Sequence, residues 1–351
     1  MGNAVCSVVA HARPDSARHR SGSKIGRLPR SNNKEAALKD RLGVTLSRRG
    51  MLSGLGVAPF VPGWRRLAQA QTVATPLLTR LIPRTGEALP VIGLGTAEVF
   101  DVGDDPAERA ARAAVIRSLT AAGGKLIDTA PSYGRAESVV GDIVAEAGSR
   151  RGVFLATKLE DYDRRTGPEQ LHASLRRLRT DTVDLMQLHN VSDPHQDLAM
   201  LRDWKAQGLC RYTGITTTFH GDFSAAEAVL RREKPDFLEI DYSLQDREVE
   251  KRLIPAAAEA GAAVLTALPL GRGRLFRTVQ QRPLPDWARE FGAATWGQFF
   301  IKYLLGEPVV TAVIPGTSNP AHMEDNLAAG RGRPPTAAER RKMVEFFTSL
   351  G

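Results

Sequence analysis

A chain of 351 residues that is 42% hydrophobic can bury one large core or two ordinary ones. Its net charge of +9 is unevenly spread: residues 1–70 carry +10 and the remainder −1, so the body has no basic excess of the kind that binds nucleic acid. The two cysteines, Cys6 and Cys210, allow no disulfide within the body, and the absence of CxxC and HExxH spacings argues against a metal site.

In chain order, residues 1–43 are polar, Arg/Ser-rich and without periodicity, which predicts disorder. Next come Ser47-Arg48-Arg49-Gly50-Met51-Leu52, a short apolar stretch over 52–64, a second basic pair at Arg65-Arg66, and Ala68-Gln69-Ala70. That order resembles a bacterial twin-arginine export signal cleaved before Gln71. The resemblance implies the twin-arginine export machinery as a partner and the periplasm as the destination, or the cytoplasm if the signal does not function. The apolar stretch is too short for a stable membrane span. The expected organisation is a leader over 1–70 and one folded domain over 71–351.

In the body, short apolar runs alternate with segments of helical spacing. Strands are predicted at 90–96, 125–130, 153–158, 183–189, 212–217, 237–243, 262–268 and 311–317, each followed by a helix, with a further helix at the end. Strict alternation implies a parallel sheet. Eight units in a body of this length predict an α/β fold of the (β/α)8 barrel type, which takes about 250 residues. An open doubly wound sheet is disfavoured because "GLGTAE" lacks the third glycine of a GxGxxG turn. A β-hairpin in "TRLIPRTGEALPVIGL" is expected to plug the barrel floor.

Catalytic groups of such barrels sit at the C-terminal strand ends. The second strand ends in Asp128 with Tyr133 in its loop, the third in Lys158 and the fourth in His189. A phenol is a poor proton donor near neutrality. A nearby ammonium is expected to lower its pKa, and a carboxylate to hold that ammonium in place. A neutral histidine can orient a carbonyl oxygen. Together the four suit protonation of a carbonyl oxygen while hydride reaches the carbon, or the reverse oxidation of an alcohol.

The stretches "GGKLIDTAPSYGRAESVVG", "ASLRRLRTDTVDLMQLH" and "VIPGTSNPAHMEDNL" resemble the three signatures of the aldo-keto reductases, and the resemblance spans roughly 78–330. It implies NADP(H), or NAD(H), bound without a Rossmann domain, and a small carbonyl substrate. Tyr133 is then the general acid, Asp128 and Lys158 tune it, and His189 orients the carbonyl. The resemblance puts cofactor contacts at Gly95, Thr96, Asp128, Thr216, Thr217, Glu239, Pro269, Leu270, Gly271, Gly316, Thr317, Ser318, His322, Asp325 and Asn326. Several depart from the family pattern. Thr216-Thr217 stand for Ser-Asn, Glu239 for Gln, Ala267 for an aromatic residue, Gly316 and His322 for Lys and Arg, and Ala97 for Trp. The altered nicotinamide contacts keep a second reading open, a nucleotide-binding regulatory barrel that does not turn over.

Overall fold

The computed structural model describes residues 75–160 and 162–351. The leader, the twin-arginine segment and the expected cleavage site lie outside the described residues. Two short antiparallel strands, β1 (Thr79–Leu81) and β2 (Ala88–Pro90), form the hairpin. Eight parallel strands follow: β3 (Leu94–Gly95), β4 (Leu126–Asp128), β5 (Phe154–Leu159), β6 (Val183–Leu188), β7 (Cys210–Thr217), β8 (Phe237–Asp241), β9 (Ala263–Ala267) and β10 (Val310–Val313). Each pairs with its neighbour in sequence order, and bridges Ile92–Val313 and Gly95–Gly316 join the first to the last. The result is the (β/α)8 barrel, with the N-terminal hairpin in place.

Helices flank the strands: α1 (Pro106–Ala121), α2 (Ala136–Glu146), α3 (Gly167–Arg177), α4 (Ala199–Ala206), α5 (Phe223–Glu233), α6 (Leu253–Ala260), α7 (Arg274–Thr278), α8 (Trp296–Leu305), α9 (Pro320–Ala329) and α10 (Ala337–Thr348). Local chemistry sets their ends. At α1, Asp105 accepts from the amides of Ala107 and Glu108, and Pro106 occupies the first turn, where its missing N–H costs nothing. At α10, Thr336 and Glu339 form a capping box. The short α7 is not foreseen by the alternation, because it is an extra turn within the loop after β9. No helix among the described residues is long and apolar enough to cross a membrane, and no group of three or more His, Cys, Asp or Glu there is placed to hold a metal.

The barrel interior explains where chemistry can occur. Strand residues two apart share a face. One inward series therefore runs Leu126–Asp128, others Phe154–Ala156–Lys158, Leu185–Gln187–His189 and Phe237–Glu239. The lower members are apolar and pack with Ile82 and Leu89 of the hairpin, which fill the floor. Arg84 fastens the hairpin there by donating to the carbonyls of Lys234 and Ala260. The upper members are polar or charged, and they end at the opposite mouth.

Candidate active site

Lys158 is wholly buried at the mouth end of β5. Its ammonium donates to both oxygens of Asp128, at 2.8 and 2.7 Å, and to the carbonyl of Thr129 at 3.1 Å. Glu239 approaches from β8 with Oε1 3.5 Å away, while its Oε2 accepts from Gln187 Nε2 at 2.8 Å. Tyr133 overhangs this cluster, its ring centroid 5.1 Å from Lys158 Nζ. Its loop is held by Asp101, which accepts the Arg135 amide at 2.9 Å. Gly134 between them has φ +59, and a Cβ there would meet the Asp101 carboxylate at 2.3 Å, so the turn beside the tyrosine requires glycine.

His189 meets Tyr133 edge-on, with ring centroids 5.9 Å apart. Its Nδ1 lies 2.7 Å from both oxygens of Glu160, which also accepts from the Ser132 hydroxyl at 2.6 Å. Donation from Nδ1 to the carboxylate leaves Nε2 as the ring nitrogen not engaged by Glu160. The Tyr162 hydroxyl donates to the His189 carbonyl. Glu160 and Ser132 are absent from the sequence reading.

The electrostatics correct one expectation. Lys158 does favour the phenolate, but burial outweighs it, and Asp128 and Glu239 oppose it, so the Tyr133 pKa is raised above the usual phenol value rather than lowered. Burial also works against the Lys158 charge, yet Asp128 and Glu239 hold its pKa above the ordinary lysine value. Burial, and then Glu239, keep Asp128 well above the usual carboxylate range despite Lys158. Both shifts favour a phenol that keeps its proton beside an ammonium that keeps its charge.

Tyr133, His189, Asp128 and Glu239 open onto a cavity of ≈ 760 Å³. Its walls continue over Gly95 to Val99, Ala267 to Leu270, and Pro315 with Gly316. Across the mouth, Arg272 pairs with Glu98 at 2.7 Å. Two exposed aromatics, Phe219 and Phe276, also line it. A second hollow of ≈ 430 Å³ between α1 and α9 lies away from the strand ends and holds none of these groups.

Residues 91–339 match the model of the aldo/keto reductase family. The chain belongs to that family. Among its relatives, methylglyoxal reductase YeaE of Escherichia coli is 29% identical over 259 residues, covering 71% of this chain and 88% of the relative. An aldo-keto reductase of Mycolicibacterium vanbaalenii is 31% identical over 246 residues, covering 68% and 82%. Among solved structures, an aldo-keto reductase of Klebsiella pneumoniae in complex with NADPH superposes with a TM-score of 0.64 at 25% identity, covering 78% of this chain and 95% of that one. This aldo/keto reductase is accordingly an NAD(P)H-dependent oxidoreductase.

The reductase's cavity fits the nucleotide that its family implies. Its volume falls in the range of about 300–1,000 Å³ that holds small ligands, and its lining combines hydrogen-bonding groups with aromatic faces. Of the sequence-derived cofactor residues, Gly95, Thr96, Asp128, Glu239, Pro269, Leu270, Gly316 and His322 line it. Thr216 and Thr217 do not. Thr216 is buried in β7 and accepts the Asn190 amide at 2.8 Å, and the pleat turns Thr217 away from the interior. Thr218 and Asn190 line the cavity instead, joined by a 3.0 Å hydrogen bond. Gly271, Thr317, Ser318, Asp325 and Asn326 lie off the cavity lining. Thr317 accepts the Asn319 amide, and Asp325 accepts from Thr295 and Gln298. The pleat parity of β7 was available in the sequence and would have pointed to Thr218. Nothing local marked Phe219, Phe276 or Asn190.

Proposed function

We propose that this protein reduces an aldehyde or ketone to the alcohol with NADP(H), and that Tyr133 is the proton donor. The observation that carries the reading is the convergence of Tyr133, Asp128 and His189 on one cavity, with the Lys158 ammonium buried behind them, 5.1 Å from the Tyr133 ring and fixed by Asp128. NADPH, when bound, supplies the hydride. Asn190, Thr218 and Glu239 are the polar groups that would hold the nicotinamide end, and Gly316 and His322 the phosphate end. His189 Nε2 orients the carbonyl oxygen toward the Tyr133 hydroxyl. Tyr133 gives its proton to that oxygen as negative charge develops there, and Lys158 stabilises the phenolate left behind. Ala97 and Phe219 leave an apolar approach for a carbonyl of modest size. The E. coli relatives named methylglyoxal reductase and pyridoxine 4-dehydrogenase make small reactive aldehydes the first panel to assay.

The test is Tyr133→Phe, which removes the transferable proton and keeps the ring. NADPH-dependent aldehyde reduction should fall at least ~100-fold, the lower end for general acid catalysis, while nucleotide affinity holds. Turnover near that of the wild type would refute the assignment.

A further inference from the structure

Three ionisable side chains meet under Tyr133: one amine, Lys158, and two carboxyl groups, Asp128 and Glu239. Asp128 takes two of the ammonium's hydrogen bonds and the Thr129 carbonyl a third. Glu239 stands at ion-pair distance from Lys158, 3.5 Å, and accepts from the Gln187 amide. All three side chains are almost wholly removed from water, and both carboxylates reach the cavity wall. A glutamine at position 239 would satisfy Gln187 equally well, so its hydrogen bonding does not account for a charge there.

We propose that Glu239 makes the nicotinamide end of the cavity select the oxidised, cationic ring over the reduced, neutral one. The inference rests on the reading that this cavity binds NADP(H). In carbonyl reduction the substrate carbon receives a hydride with both electrons of the nicotinamide C–H bond, its oxygen receives the Tyr133 proton, and one positive charge is left on the ring. An anion fixed in a low-dielectric wall is stabilised by that charge and not by the neutral ring. Glu239 thus favours hydride release toward the carbonyl and afterwards retains the spent nucleotide.

The experiment measures dissociation constants of NADP⁺ and NADPH, by titration of the intact protein, for the wild type and Glu239→Gln. The wild type should bind NADP⁺ more tightly than NADPH. Glu239→Gln should weaken NADP⁺ relative to NADPH by about tenfold or more, with NADPH affinity nearly unchanged. Glu239→Asp, which keeps the charge, should retain the preference. An unchanged ratio in Glu239→Gln, or equal loss of both nucleotides, overturns the proposal. If Glu239→Gln does not fold, the wild type alone decides, and equal affinities or a preference for NADPH overturn it. Failure of the wild type to bind either nucleotide refutes the cofactor reading itself.

Discussion

Glu160 bears on catalysis without facing the reacting atoms, and replacing it isolates its effect on His189. Both carboxylate oxygens stand 2.7 Å from Nδ1. A hydrogen bond to a charged group is worth about 1.5–3 kcal/mol and a neutral one about 0.5–1.5 kcal/mol. Glu160→Gln keeps an acceptor and loses the charge, and the Glu160 side chain is 30% exposed, so the low end applies. The expected loss is about 1 kcal/mol, or roughly fivefold in kcat/KM. Glu160→Ala removes the acceptor as well and should cost about 10- to 30-fold, since the ring is then free to rotate. Burial works against the Glu160 charge, but the bonds from His189 and Ser132 outweigh it and hold the carboxyl below its ordinary value of 4.5. A depressed native pKa means that the contact is intact above the unfolded value and is lost as pH falls through the native one. The acid limb of the wild-type profile should therefore reflect this protonation, and Glu160→Gln should lack that component. The assay is steady-state aldehyde reduction across that range, with nucleotide affinity measured in parallel. Unchanged kcat and KM in Glu160→Ala would refute the reasoning.

Other expectations follow from separate parts of the molecule. Burial, then Arg333, pushes the Lys302 ammonium down to about 8 from 10.5. Between those values the unfolded chain holds a proton that the native one has lost, so stability should rise with pH there; Lys302→Met should abolish the rise in denaturant midpoints. Arg84→Ala unfastens the hairpin from the carbonyls of Lys234, Pro235 and Ala260 and from Asp236 and should cost about 1–2 kcal/mol of stability, measured by urea unfolding, with kcat unaltered because the mouth is at the other end. For the leader, Arg48→Lys with Arg49→Lys should confine the full-length protein to the cytoplasm on fractionation of a bacterial host, and an unchanged distribution would remove the export reading.

Much of this was legible because period-2 patterning and helix–strand alternation carry the barrel directly. Asp128, Lys158 and His189 could be placed at strand ends from the apolar runs that precede them. Glu160 could not, because it stands in the polar run "LEDYDRR", which reads as a solvated loop. Only the fold brings that run beside Ser132 and His189. The direction of the Tyr133 shift is hidden from the sequence for a similar reason. The ammonium was visible in the sequence, whereas the depth of burial and the nearness of Glu239 are tertiary facts. Thr217 failed as a cavity residue on parity alone. Phe219 and Phe276 sit in loops whose course no local pattern dictates.

The barrel has a seam. Where its first and last strands meet, regular pairing gives way to two bridges and three amide bonds, from Gly93 to Val313, from Val313 to Val91 and from Gly95 to Pro315. Gly95 lies so close to the other side that a Cβ there would meet the Ile314 carbonyl at 2.8 Å. The cavity straddles this junction, with Gly95 on one lip and Ile314, Pro315 and Gly316 on the other. A ligand filling it touches both lips and acts as a staple across this closure of the cylinder. Amide exchange along Gly93 to Gly95 and Val313 to Gly316 then becomes a gauge of occupancy, slowing locally before the melting temperature of the whole domain moves.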